Sequence, residues 1–350
     1  MPSKSSIKNL LHLSIPIFFA NLAIPLVAIV DTGLMGNLDD ASYLTATSIA
    51  SSLFSMIFWS FGFLRMGTVG MVAKAHGENQ YNEIVDLVIR NITFVIVISL
   101  LLIFLQHFIF NLGLQIFDLS NDTEKYFKEY FYIRIYSSFG ELTIFVITGL
   151  FIGLQKTKIS SVVVGFFSVT NIIFSLFFVL YFKLNVTGVA LGTLVSSTLT
   201  SFIFLIYTFS ELKKLTNINF DIKKIFNVKK IQNIFNINFN IFIRTVFLTF
   251  SFLFFTYLGN TISEDVVAAN TILINLIFLS AFILDAYAFS TEGIVGYSIG
   301  SKNITLLRNV IKNSFILSAS TGLLISLLYF FGKNHFISLM TDLPNIETIS

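Results

Sequence analysis

The chain of 350 residues contains no cysteine, which excludes disulfides and thiolate metal sites. It is poor in charge. Only 12% of its residues are Asp, Glu, Lys or Arg, about half the share of roughly 25% in an ordinary soluble domain. Histidine is scarce as well: His12, His76, His107 and His335 lie near the ends of apolar runs and form no HExxH pattern, so the ligand set of a zinc hydrolase is missing. No nucleophile–base pair of an intramembrane hydrolase stands out either, and no catalytic residue is expected. What remains is apolar: 55% of residues are hydrophobic, and the mean hydropathy is +0.83. The 42 phenylalanines need no functional reading, because an AT-rich genome gives the same bias.

Apolar runs of about 20 residues or more mark bilayer-spanning helices. Nine occur, at 10–36, 44–73, 88–112, 130–154, 159–182, 186–209, 235–258, 266–299 and 309–332. Open strands in lipid would leave backbone groups unpaired, so the fold class is an all-α polytopic membrane protein. The runs at 44–73 and 266–299 are long enough to tilt or project beyond the bilayer. The first is no cleavable signal peptide, since it is too long and contains an acid, Asp31.

The net charge is only +3, but the basic residues are unevenly placed. Of the 22 Lys and Arg, 15 fall on one set of connections and 4 on the other; Arg65, Arg134 and Arg244 lie within runs. By the positive-inside rule the N-terminus and the basic loops face the cytoplasm, with the bacterial inner (plasma) membrane as the expected location. The longest basic connection, "SELKKLTNINFDIKKIFNVKKIQNI" at 210–234, reads as a linker between two bundles that also touches anionic lipid. No nucleic-acid role is expected of it.

A repeat supports the two bundles. "GMVAKAHGENQ" and "GIVGYSIGSKN" align Gly70, Val72 and Gly77 with Gly293, Val295 and Gly300 at a constant offset of 223. Six runs separate the copies, an even number, so the repeats are parallel and related by an axis along the membrane normal. Residues 1–209 then form a six-helix N-terminal lobe, 210–234 the linker, and 235–350 a partial C-terminal lobe of three helices. On this reading the chain ends where a tenth helix would begin, as a truncated frame or a shortened protein would.

Charges within the runs are the candidate site. Mid-bilayer charge costs about 2.5–3.5 kcal/mol on insertion scales, so such residues face a cavity or a partner. The candidates are Asp31, Glu141, Asp285 and Glu292, with Arg244 as possible counter-ion. Arg65 and Arg134 lie nearer segment ends and read as snorkelling or structurally paired. Asp31 reads as a protonatable carboxylate facing an outward cavity, with capping of the next turn as the bland alternative. Pro16 and Pro25 remove backbone donors from the same helix and make it bendable.

Taken in order, "IPIFFANLAIPLVAIVDTGLMGNL", "FWSFGFLRMGTVGMVAKAHG", "NFNIFIRT" and "LDAYAFSTEGIVGYSIGSKN" resemble the multidrug and toxic compound extrusion (MATE) transporters, in particular their DinF-type branch. The resemblance implies twelve helices in two six-helix lobes around a V-shaped cavity, nine of them present here. It implies export of amphipathic, often cationic compounds, driven by inward H⁺ or Na⁺. It assigns cation coupling to Asp31 and matches Asp285, Glu292 and Arg244 to cavity positions. Many members carry an acid four residues after an asparagine in the fifth helix. Here "NIIFS" places Ser175 after Asn171, which favours H⁺ over Na⁺. Two alternatives stand beside the antiporter: a lipid-linked oligosaccharide flippase of the wider superfamily, which would line its cavity with several basic residues, and a non-functional truncated transporter. No metal or cofactor is expected beyond the coupling ion. The expected partners are small amphipathic or cationic substrates and membrane lipid, and the expected state is a monomer.

Overall fold

The computed structural model describes residues 7–38, 40–117, 119–216, 225, 227–260, 262 and 264–338. Part of the linker and most of the tail after the ninth run lie outside these. Twelve α-helices follow in order: α1 Ile7–Gly36, α2 Ala41–Ser60, α3 Phe63–Gly77, α4 Tyr81–Phe104, α5 Gln106–Ile116, α6 Asn121–Arg134, α7 Ser138–Gly153, α8 Thr157–Leu176, α9 Asn185–Leu215, α10 Val228–Asn260, α11 Glu264–Gly300 and α12 Ile304–Ser338. Joined end to end where a short turn interrupts them, they give nine candidate membrane spans among the described residues.

The apolar runs and the helices differ at identifiable places. The second run is two helices, α2 and α3, broken at Phe61–Gly62. A Cβ on Gly62 would lie 3.1 Å from the Trp59 carbonyl oxygen, a close approach that glycine permits. The fourth run begins nine residues earlier than hydropathy places it, at Asn121. Its first turns carry Asp122, Glu124, Lys125, Lys128 and Glu129, and helix outside lipid needs no hydropathy. Ser120 caps it, accepting from the Thr123 N–H at 3.4 Å, with Asp122 and Glu124 favourable at the helix N-terminus.

Three helices at the end that carries most Lys and Arg, the basic end, stop in the same way. Gln80 N–H donates to Ala75 O at 2.9 Å, Lys156 N–H to Phe151 O at 2.7 Å and Asn303 N–H to Ser298 O at 2.9 Å. The residue before each donor site is left-handed: Asn79 at φ 58°, Gln155 at 59° and Lys302 at 55°. These are Schellman closures. The offset of 223 carries Asn79 to Lys302, so the repeat extends to the backbone of the turn.

The repeat is also a contact. A Cβ on Gly300 would run into the Lys74 carbonyl and lie 3.1 Å from Glu78 N; one on Gly77 would run into the Tyr297 carbonyl and lie 2.8 Å from Ser301 N. The same offset carries Lys74 to Tyr297 and Glu78 to Ser301, so the two contacts are reciprocal, as a local two-fold requires. Between them a Cβ on Gly296 would lie 2.6 Å from the Ala73 Cβ. Small residues let α3 and α11 meet backbone to backbone, and this shuts the basic end.

Elsewhere α1 joins the same interface. Ser14 and Ser290 share a hydrogen bond of 2.5 Å, and Asn21 donates to Phe282 O at 3.2 Å. The interior of α1–α9 is aromatic, with Phe54, Phe58, Phe110, Phe127 and Phe131 buried together. The start of α10 is tied to this bundle. The Arg90 side chain is 1% exposed and pairs with Glu83 at 3.0 Å. It donates through Nε to Ile225 O at 2.5 Å, and Lys230 also binds Glu83.

Candidate functional site

Two charge clusters lie within the spans. The first is enclosed by α1, α2, α6, α7, α8 and α9. Asp31 stands on α1 five residues before its end, half-buried, and its Oδ1 is buried with no hydrogen-bond partner among the described residues. Ser175 of α8 lies beside it, and Arg134 of α6 is near enough to act on it by charge. Asn171, one turn before Ser175, accepts from it at 3.4 Å and donates to Thr193 Oγ1 of α9 at 3.0 Å.

Glu141 belongs to this cluster. Hydropathy could not assign its face; the structure turns it inward, where it pairs directly with Arg134 and accepts from Ser137 at 2.9 Å. The Arg134 guanidinium lies 5.3 Å from the Phe54 ring centre and 5.2 Å from that of Phe58. Its side chain is 12% exposed, so it is structurally paired and does not snorkel. Pro16 and Pro25 both lie inside α1, which runs as one helix through them.

The second cluster lies on α3, α10 and α11. Asp285, Phe289 and Glu292 are spaced i, i+4 and i+7, one face of a helix, and this face turns to α3. Arg65 of α3 lays its guanidinium 3.9 Å from the centre of the Phe289 ring. Asp285 and Glu292 both act on it by charge. Its Nε is buried and donates to nothing among the described residues. Arg244 of α10 is exposed, acts by charge on both carboxylates, and reaches Met66 Sδ at 3.4 Å. None of these four charges closes an ion pair within 4.0 Å among the described residues. Of the two readings of Arg65 from its position in the run, the structure favours structural pairing over snorkelling: it reaches to α11 and not toward the membrane surface. Phe289 was not singled out in the sequence at all, although its place between two acids one turn away was readable.

A bundle of nine spans with a reciprocal repeat contact and intramembrane charge turned inward defines a class, the multi-pass membrane transporter. The MatE family model matches residues 16–177 and 241–350, and the chain belongs to that family. It is 27% identical over 346 residues to the DNA damage-inducible protein F of Escherichia coli (strain K12), spanning 99% of this chain and 75% of that one. Its fold is shared with a multidrug resistance MATE family transporter of the MOP superfamily solved in an outward-facing conformation (TM-score 0.87, 17% identity, 98% of this chain and 76% of that one). It is shared equally with a MOP superfamily transporter from Pyrococcus furiosus Vc1 (DSM3638) (TM-score 0.87, 16% identity, 98% and 76%), whose reversed pocket polarity is said to suggest a different function. The protein is a transporter and not an enzyme.

Proposed function

We propose that the protein is a cation-coupled antiporter that exports amphipathic, often cationic compounds by alternating access, with Asp31 as the coupling carboxylate. The observation that carries this is the Asp31 carboxylate itself. One of its oxygens is buried and has no partner among the described residues, which is costly unless a proton, ion or substrate completes it. H⁺ is favoured over Na⁺. Ser175, Asn171 and Thr193 offer neutral oxygens, but Asn171 and Thr193 are engaged with each other, and Arg134 opposes a second cation. The acids that accompany every arginine of both clusters favour a cation carrier over a phosphate-binding flippase.

In this reading the basic end faces the cytoplasm of the bacterial inner membrane. Substrate enters between the lobes and the lobes rock outward. A proton then neutralises Asp31, α1 bends near Pro16 and Pro25, and the site loses its differential attraction for the cation. Asp31→Asn tests it. In everted vesicles the variant should insert normally and lose export driven by a pH gradient. Undiminished proton-driven export by Asp31→Asn would remove the central claim. Export driven by a Na⁺ gradient at uniform pH would reassign the coupling ion.

A further inference from the structure

Arg65 occupies a place that a cation carrier would keep for its cargo. Its guanidinium carbon lies 3.9 Å from the centre of one aromatic ring, which has a carboxylate one turn to either side of it on the same helix. An aromatic ring flanked by acids is a general binding motif for an organic cation. The arginine and the motif belong to different lobes: Arg65 is on α3, and Asp285, Phe289 and Glu292 are on α11.

We infer that Asp285, Phe289 and Glu292 form a subsite for a monovalent amphipathic cation, and that Arg65 is a tethered competitor which fills this subsite only while the basic end is shut. This rests on the reading of the protein as a cation exporter and adds what sets the direction of affinity. The geometry supplies the switch. Arg65 is twelve residues from Gly77 along α3, about 18 Å, and Glu292 is eight from Gly300 along α11, about 12 Å. The glycine contact and the subsite thus lie along one shared helix–helix seam. Parting α3 from α11 at the basic end draws the guanidinium off Phe289 and leaves two carboxylates and a ring open to that side. Closing the seam returns Arg65 at the high effective concentration of a tethered group, and a bound monocation must leave. A carrier needs such a difference in affinity between its states.

The test is equilibrium binding of tetraphenylphosphonium to the purified full chain in lipid nanodiscs. Arg65→Gln should bind about tenfold more tightly than the wild type, the size of a desolvated cation–π contact. Adding Phe289→Ala or Glu292→Gln should remove the gain. Equal or weaker binding by Arg65→Gln overturns the inference. A second measurement leaves Arg65 intact. The chain has no cysteine, so Ala73→Cys with Gly296→Cys introduces the only pair. The built Cβ distance is 2.6 Å, and a disulfide needs about 3.5–4.5 Å, so the helices must ease apart by about 1 Å. The oxidised protein, locked shut, should bind about tenfold more weakly than the reduced one; equal affinity overturns the inference. If wild-type vesicles export the cation while both comparisons show no difference, the competitor falls and the exporter stands. If the wild type exports no cation and no variant binds one, both fall.

Discussion

The two clusters have the same ingredients and opposite construction. Each sets a buried arginine against aromatic surface and two carboxylates: Arg134 with Glu141, Asp31, Phe54 and Phe58, and Arg65 with Glu292, Asp285 and Phe289, where the exposed Arg244 adds a second positive charge. In the first, every member belongs to α1–α9, and Arg134 and Glu141 are in direct contact. In the second, Arg65 is on α3 and the acids are on α11, and no pair closes within 4.0 Å among the described residues. If α1–α9 and α10–α12 rock as two lobes, as the proposed function has it, the motion leaves the first cluster whole and divides Arg65 from the acids of the second. A closed pair within one lobe can hold a carboxylate at fixed geometry for a coupling ion. An open arrangement between lobes can change its occupant.

The sharpest way to break this comparison is to remove Glu141. Arg134 would then be buried without its direct partner, and breaking a buried pair costs about 3–5 kcal/mol. Glu141→Ala should lower thermal stability of the purified protein severely. Asp31→Asn should barely move it, because Arg134 keeps Glu141. Equal losses in the two variants would show that the three charges act as one unit. A smaller effect is expected at the seam. Gly300→Ala puts a methyl against the Lys74 carbonyl, and overpacking of this kind costs about 1–3 kcal/mol. It should slow oxidation of the Ala73→Cys, Gly296→Cys pair by favouring the parted state. Gly77→Ala should do the same, because the contact is reciprocal. A response from only one of them would break the two-fold.

The spans and the repeat were legible in the sequence, for reasons that can be named. Bilayer thickness imposes a minimum length on every span, and Gly77 and Gly300, which close "GMVAKAHG" and "GIVGYSIG", answer a backbone contact that no larger residue fits. What was hidden depends on partners far along the chain. Arg65 reads as an end-of-segment arginine until Phe289 is brought to it. Glu141 follows Arg134 and Ser137 at i−7 and i−4, a polar stripe on one helix face that was readable, but hydropathy alone does not say that the stripe turns inward. The breaks at Gly62 and Leu105 fall inside continuous hydropathy, since lipid is indifferent to a turn that keeps its backbone groups bonded. The expected linker at 210–234 falls partly outside the described residues.

The smallest expected effect sharpens the comparison from the other side. Thr193 accepts from Asn171 at 3.0 Å and is buried. Thr193→Val keeps the shape and removes the oxygen, leaving the Asn171 amide without that acceptor. Interhelical hydrogen bonds of this kind in membranes average about 0.6 kcal/mol, so thermal stability should fall only slightly. The seam and the Arg65–Phe289 contact involve neither residue. Tetraphenylphosphonium affinity, and its tenfold dependence on Arg65, should therefore be unchanged in Thr193→Val, while proton-driven export is altered through Asn171, Ser175 and Asp31. If Thr193→Val instead shifted the Arg65-dependent affinity, the rigid cluster would be transmitting to the divisible one even at rest. Coupling would then lie in the static packing of α1 between the two sites, where Ser14 and Asn21 already touch α11, and not in the rocking that separates them.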